Sequence, residues 1–148
     1  MAAETRVAIA SDEDMVQARA EGRALAAQLG FSRTDATLVA TAISEVARNI
    51  VVHAGRGEIV IKGVYDSDRH GILVVARDSG PGIRDLHAAM KDGLGAPGGL
   101  GLGLPGAKRL MDEFHVDSRV GAGTTVTMTK WRIRDELERL RERRSQSG

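Results

Sequence analysis

The sequence contains no cysteine, which excludes a disulfide scaffold, a thiolate zinc site and a cysteine nucleophile. Aromatic residues are scarce, with two Phe, one Trp and one Tyr, so the core must be aliphatic. No apolar run approaches the roughly 18 residues of a membrane-crossing helix. Met1 to Ala10 carries charges where a signal peptide needs an apolar segment. A net charge of +1 gives neither nucleic acid nor an anionic membrane a foothold through total charge. The histidines His53, His70, His87 and His115 lack the paired spacing of zinc ligands. The expectation is a soluble, cytoplasmic protein with no membrane or nucleic-acid partner.

Glycine, by contrast, is abundant: 18 of 148 residues, clustered between Asp78 and Leu104. The length suits one domain that buries its own core. Arg6 to Ala10 alternates weakly and reads as an edge strand. Ser11 caps a helix, with Asp12, Glu13 and Asp14 in its first turn, that runs to Leu29 and stops at Gly30. Ser32 and Asp35 open a second helix to about Val52, whose Val39, Ala42, Ile43, Val46, Ala47 and Ile50 follow helical spacing and face a core. Glu58 to Tyr65 and His70 to Arg77 alternate as strands about a hairpin-like loop at Asp66-Ser67-Asp68. A short helical piece is expected near Asp85 to Met90, then a helix over Leu104 to Phe114. Strands over His115 to Arg119 and Thr124 to Trp131 follow. This order predicts a two-layer α/β sandwich, with helices on one face of a mixed, mostly antiparallel sheet. Residues 1–131 form the domain, and 132–148 form a charged helical tail.

Three stretches carry chemistry. In the second helix Thr41, Glu45, Arg48, Asn49 and Val52 share a stripe that is polar in its middle. A carboxylate at Glu45 and an amide at Asn49, one turn apart, can address one small volume: the amide can ligate a hard cation while the carboxylate orients or deprotonates a nucleophile. Asp78 ends an apolar strand and leads into Ser79-Gly80-Pro81-Gly82, where the glycines let a ligand approach the main chain. The run Gly98-Gly99-Leu100-Gly101-Leu102-Gly103-Leu104 opens a helix whose exposed N–H groups suit phosphate. Gly101-x-Gly103-x-x-Gly106 matches the dinucleotide fingerprint formally, but no strand precedes it. No Gly-Lys-Ser/Thr loop exists, and no His-Arg-Asp loop accompanies Asp78-Ser79-Gly80 as in eukaryotic-type kinases.

Together the three stretches resemble the motifs of the gyrase, Hsp90, histidine kinase and MutL (GHKL) superfamily of ATPases. Glu45 and Asn49 look like its N box, Asp78-x-Gly80-x-Gly82 its first glycine box, and Gly99-x-Gly101-x-Gly103 its second. From Asp78 to Trp131 the wording is similar to RsbT-type switch protein kinases, relatives of the anti-sigma factors RsbW and SpoIIAB. The clearest matches are Gly101-Leu-Gly-Leu-Pro-Gly-Ala-Lys-Arg-Leu-Met-Asp-Glu-Phe and Gly123-Thr-Thr-Val-Thr-Met. The resemblance implies a GHKL (Bergerat) fold that binds ATP and Mg²⁺. It implies that Asp78 accepts from the adenine amino group, with Gly80 and Gly82 against the base and Thr124 or Thr125 completing recognition. Asn49 would hold Mg²⁺ and Glu45 would activate the attacking hydroxyl. The backbone of Gly99, Leu100, Gly101, Leu102, Gly103 and Leu104 would cradle phosphates, with Arg48 and Lys91 as further phosphate contacts. It also implies a serine/threonine kinase acting on STAS-domain antagonist proteins, and a PP2C-type phosphatase as the partner it activates on release. The alternative is an anti-sigma factor that sequesters a sigma factor. A stand-alone ATPase or detached histidine kinase catalytic domain is the remaining rival.

Overall fold

A computed structural model of the protein describes residues 4–84, 89–90 and 103–133. The chain runs β1 (Glu4–Ile9), α1 (Asp12–Gln28), α2 (Arg33–His53), β2 (Gly57–Asp66), β3 (Arg69–Asp78), α3 (Gly103–Leu110), β4 (Glu113–Arg119) and β5 (Gly123–Ile133). Both long helices start where a serine meets their orphan N–H groups. Ser11 Oγ accepts from Asp14 N at 3.4 Å and Ser32 Oγ from Asp35 N at 3.0 Å, as N-caps do.

The strands form one sheet in the order β1-β2-β3-β5-β4. Every neighbouring pair is antiparallel, so the expected mixed sheet is antiparallel throughout the described strands. The connection from β3 carries the chain past the place β5 later takes, leaving β4 at the edge, parallel in sense to β3 but not its neighbour. β1 holds the other edge, as its weak alternation suggests.

Alternation sends Val7, Ile9, Ile59, Ile61, Ile72, Val74, Val126 and Met128 to the helical side, where they are buried with Val39, Ile43, Val46 and Ile50 of α2. α2 is the central helix, flanked by α1 and α3. α1 approaches it closely at Gly22, where a Cβ would run into Ile43.

Most boundaries shift from the sequence expectation by one or two residues, and two of the differences change which element a segment belongs to. The last helix ends at Leu110, not Phe114, because Glu113 and Phe114 pair with Thr129 and Met128 as the start of β4. Asp112 N donates to Thr129 O at 2.9 Å and Lys130 Nζ to Leu110 O at 3.0 Å, which turns the chain into the sheet. Arg132 and Ile133 belong to β5, opposite His70 and Arg69, rather than to a charged helix. Most of the short helical piece expected near Asp85–Met90, the run 91–102 and the tail beyond Ile133 lie outside the described residues.

Candidate active site

α2 packs its apolar stripe inward, which leaves Glu45 and Asn49 half-buried on a neighbouring face. Glu45 Oε2 accepts a hydrogen bond from Gly103 N at 2.9 Å. Gly103 is the first residue of α3, so a carboxylate of the central helix meets the positive end of another helix. Asn49 follows one turn along, about 6 Å of helical rise.

Asp78 is the last residue of β3, paired with Gly57 on one side and Thr124 on the other. Its Oδ1 accepts from Gly80 N at 2.9 Å and from Thr124 N at 3.3 Å, fixing the carboxylate by backbone donors from two strand ends. The turn that follows is held on both sides. At Gly80 a Cβ would press on Ala54, the C-cap of α2. Gly82 has φ +79°, and a Cβ there would collide with the Arg119 carbonyl, so both backbone angle and space call for glycine. Gly121 N donates to Pro81 O at 2.8 Å and Ile83 N to Ser118 Oγ at 2.8 Å. The turn after Asp78 is thus clamped between the end of α2 and the β4–β5 hairpin.

The two clamps meet α2 at Glu45 and at Ala54, nine residues apart, or about 13.5 Å of rise. The Asp78 carboxylate therefore lies near one end of this span and a helix N-terminus at the other, with Asn49 between. That arrangement suits an elongated ligand with a hydrogen-bonding base and an anionic tail.

Of the sequence candidates, Glu45, Asn49, Asp78, Gly80, Gly82, Gly103 and Thr124 fall along this span. Thr124 is 5% exposed and bound to Asp78 through its N–H. Thr125 is a correction: strand alternation puts its side chain on the opposite, helix-free face, level with Arg77. Leu104 places its side chain in the core, so only its backbone could meet a ligand. Arg48 lines a groove of about 360 Å³ with Asp12, Met15, Val51 and Val52, on the α1 side of α2 rather than between α2 and α3. Lys91, Gly99, Leu100, Gly101 and Leu102 lie outside the described residues. Sequence reasoning missed Ser118, whose signal was a polar residue on the inward phase of β4, after Phe114 and Val116. Among the described residues no cluster of three or more His, Asp or Glu side chains could cage a metal, and no helix is long and apolar enough to cross a membrane.

The chain belongs to the histidine kinase-like ATPase domain family, whose model matches residues 9–130. It is thereby a GHKL-type protein. Within that class it is 49% identical over 125 residues to the serine/threonine-protein kinase RsbT of Bacillus subtilis, covering 84% of this chain and 94% of RsbT. It is 35% identical over 130 residues to the serine-protein kinase RsbW of Bacillus licheniformis, covering 77% of this chain and 76% of RsbW. An anti-sigma F factor of a Thermoanaerobacter species (strain X514) is 33% identical over 120 residues, covering 77% of this chain and 82% of that factor. The crystal structure of the RsbU and RsbW domains of a Mycobacterium tuberculosis protein matches with a TM-score of 0.57 at 24% identity. It covers 89% of this chain and 33% of that one, a likeness of fold. The chain thus stands in the protein-kinase branch of an ATPase family.

Proposed function

We propose that this protein is an ATP-dependent serine/threonine kinase of a partner-switching pathway, phosphorylating a hydroxyl on STAS-domain antagonist proteins. On release from them it binds and activates a PP2C-type phosphatase. The observation that carries the reading is the hydrogen bond between Glu45 and Gly103 N at the head of α3, with Asn49 one turn away. It sets a proton-accepting carboxylate beside a helix end suited to phosphate. The 49% identity to RsbT supports the kinase branch.

Phosphoryl transfer demands positioning and charge neutralisation more than covalent chemistry. Asp78 accepts from the base and sets its depth against the turn at Gly80 and Gly82. The N-terminus of α3 receives the phosphates through backbone N–H groups from Gly103 onward. Glu45, on α2, takes the proton of the incoming serine or threonine hydroxyl. Its carboxylate has to turn from Gly103 N to that hydroxyl, and phosphate oxygens can replace it as acceptor. Asn49 offers a half-buried amide oxygen between these two ends, a donor that fits Mg²⁺, which takes few protein ligands and completes its shell with phosphate and water. Bound there, Mg²⁺ would neutralise phosphate charge.

The test is to mix the pure protein with γ-labelled ATP, Mg²⁺ and STAS-domain proteins, with Glu45→Ala as control. Label on a STAS serine or threonine that vanishes with Glu45→Ala is the expected result; ATP binding without transfer overturns the kinase reading. The identity to an anti-sigma F factor favours one second reading, in which the chain sequesters a sigma factor and phosphorylates its antagonist. Co-purification with a sigma factor rather than a STAS protein would select it.

A further inference from the structure

Ser118 is the one hydroxyl on the inward phase of β4, following Phe114 and Val116, and it stands directly opposite Thr124 of β5. Three contacts converge on its Oγ. It accepts from Ile83 N at 2.8 Å, can donate to the Gly123 carbonyl at 3.4 Å, and lies 2.8 Å from Thr124 Oγ1, where either hydroxyl can be the donor. A serine hydroxyl has one proton to give. With Ile83 N–H on one lone pair, the short contact to Thr124 is the better place for that proton. Thr124 then receives at its own oxygen, and its O–H is left to donate elsewhere.

The neighbouring carboxylate is polarised in the opposite sense. Both hydrogen bonds to Asp78 fall on Oδ1, from Gly80 N and Thr124 N. Among the described residues nothing donates to Oδ2, which is left as a second acceptor. The strand ends of β3 and β5 therefore present an acceptor and a donor side by side.

We infer that Ser118 is a positioning residue for base selection. By donating to Thr124 it fixes that hydroxyl as a donor, directly or through one water, so that the pocket matches a base edge with an amino donor beside a ring-nitrogen acceptor. Adenine has that edge. Hypoxanthine reverses both groups, with a carbonyl acceptor and a ring N–H donor, and is rejected because buried polar groups are left mismatched. This inference rests on the reading of Asp78 and Thr124 as the base pocket.

The experiment is calorimetric binding of ADP and IDP to the wild type, Ser118→Ala and Ser118→Thr, with thermal melting of each. The wild type should prefer ADP by at least about tenfold, as one well-placed hydrogen bond allows. In Ser118→Ala the Thr124 hydroxyl can turn either way, and the ADP/IDP ratio should fall at least about fivefold; Ser118→Thr, which restores the donor, should recover it. Loss of affinity for both nucleotides by one common factor would make Ser118 a loop support only and overturn the inference, as would an unchanged ratio. If the alanine variant melts below the assay temperature, Ser118→Cys, close in volume and a weak donor, replaces it with the same expectation. A wild-type protein that binds neither nucleotide overturns the base-pocket reading itself, and the inference with it.

Discussion

The two ends of the sheet both carry clusters of polar and charged side chains, but they are built differently. At the Arg69 end most contacts join side chain to side chain, the bond from Trp131 N to Asp112 being the exception. Arg69 pairs with Asp66 at 2.6 Å and lies over the Trp131 ring at 4.1 Å from its centroid. The Trp131 indole N–H donates to Glu113, its backbone N–H donates to Asp112 at 2.7 Å, and Tyr65 meets His70 edge to face. At the Asp78 end side-chain acceptors hold backbone N–H groups of turn, strand and helix start instead: Asp78 takes Gly80 N and Thr124 N, Ser118 takes Ile83 N, and Glu45 takes Gly103 N. A carboxylate that spends one oxygen on the main chain keeps the other for a ligand. One end ties strands together; the other holds backbone and leaves acceptors for the proposed nucleotide.

Removing a group that acts on the ligand should therefore have large effects at the Asp78 end. The largest belongs to Glu45→Ala, with transfer to a STAS substrate falling by about 10²–10⁴, the usual worth of a general base. ATP affinity should hold within a few-fold, since in the proposed mechanism the carboxylate acts on the nucleophile. Single-turnover transfer and calorimetry separate the two, and equal losses in both would reduce Glu45 to a support for Gly103. Next comes Asp78→Asn, which turns an acceptor into an amide that also donates. ATP affinity should fall roughly tenfold to a hundredfold, for a charge-assisted bond worth about 1.5–3 kcal/mol. Calorimetry giving wild-type affinity would remove Asp78 from the base pocket.

Much of this contrast is legible in the sequence, but unevenly. The helices are, because Ser11 and Ser32 cap them and the apolar stripe of α2 follows helical spacing. Glu45, Asn49 and Asp78 are, because short motifs with fixed spacing place them at a helix face and a strand end. Residues that meet only through tertiary contact are not. Nothing local tells Ser118 that it will stand opposite Thr124, or Glu45 that Gly103, 58 residues away, will donate to it. Thr124 and Thr125 are equivalent as a dipeptide, and only the register against Asp78 and Arg77 separates them. The end of α3 is not legible for the same reason. Met111 to Phe114 continues a plausible helix locally, and pairing with Thr129 and Met128 overrides it.

The glycine at 82 sharpens the comparison in stability. Gly82→Ala puts a Cβ against the Arg119 carbonyl at φ +79°, so either the turn or the hairpin must shift, at a cost of about 1–3 kcal/mol. Denaturant unfolding should show that loss, and ATP affinity should fall with it because the same turn carries the proposed base pocket. A destabilised variant that binds ATP normally would mean that the clamp supports the fold but not the pocket.

The smallest effect is expected at the other end, and it is the stricter test of the contrast. Arg69→Ala deletes the ion pair with Asp66, whose side chains are 39% and 55% exposed, together with the cation–π contact to Trp131. An exposed pair is worth about 0–1 kcal/mol and an exposed cation–π contact about 0.5–1 kcal/mol, so unfolding free energy should drop by about 1 kcal/mol and less at high salt. ATP affinity and transfer should stay within about twofold, because Arg69 pairs with Ile133 while Asp78 pairs with Thr124, nine residues further along the same strand. A tenfold change in either would mean that the Arg69 cluster is coupled to the pocket through β3 and β5, and the division of the sheet into a structural end and a chemical end would have to be given up.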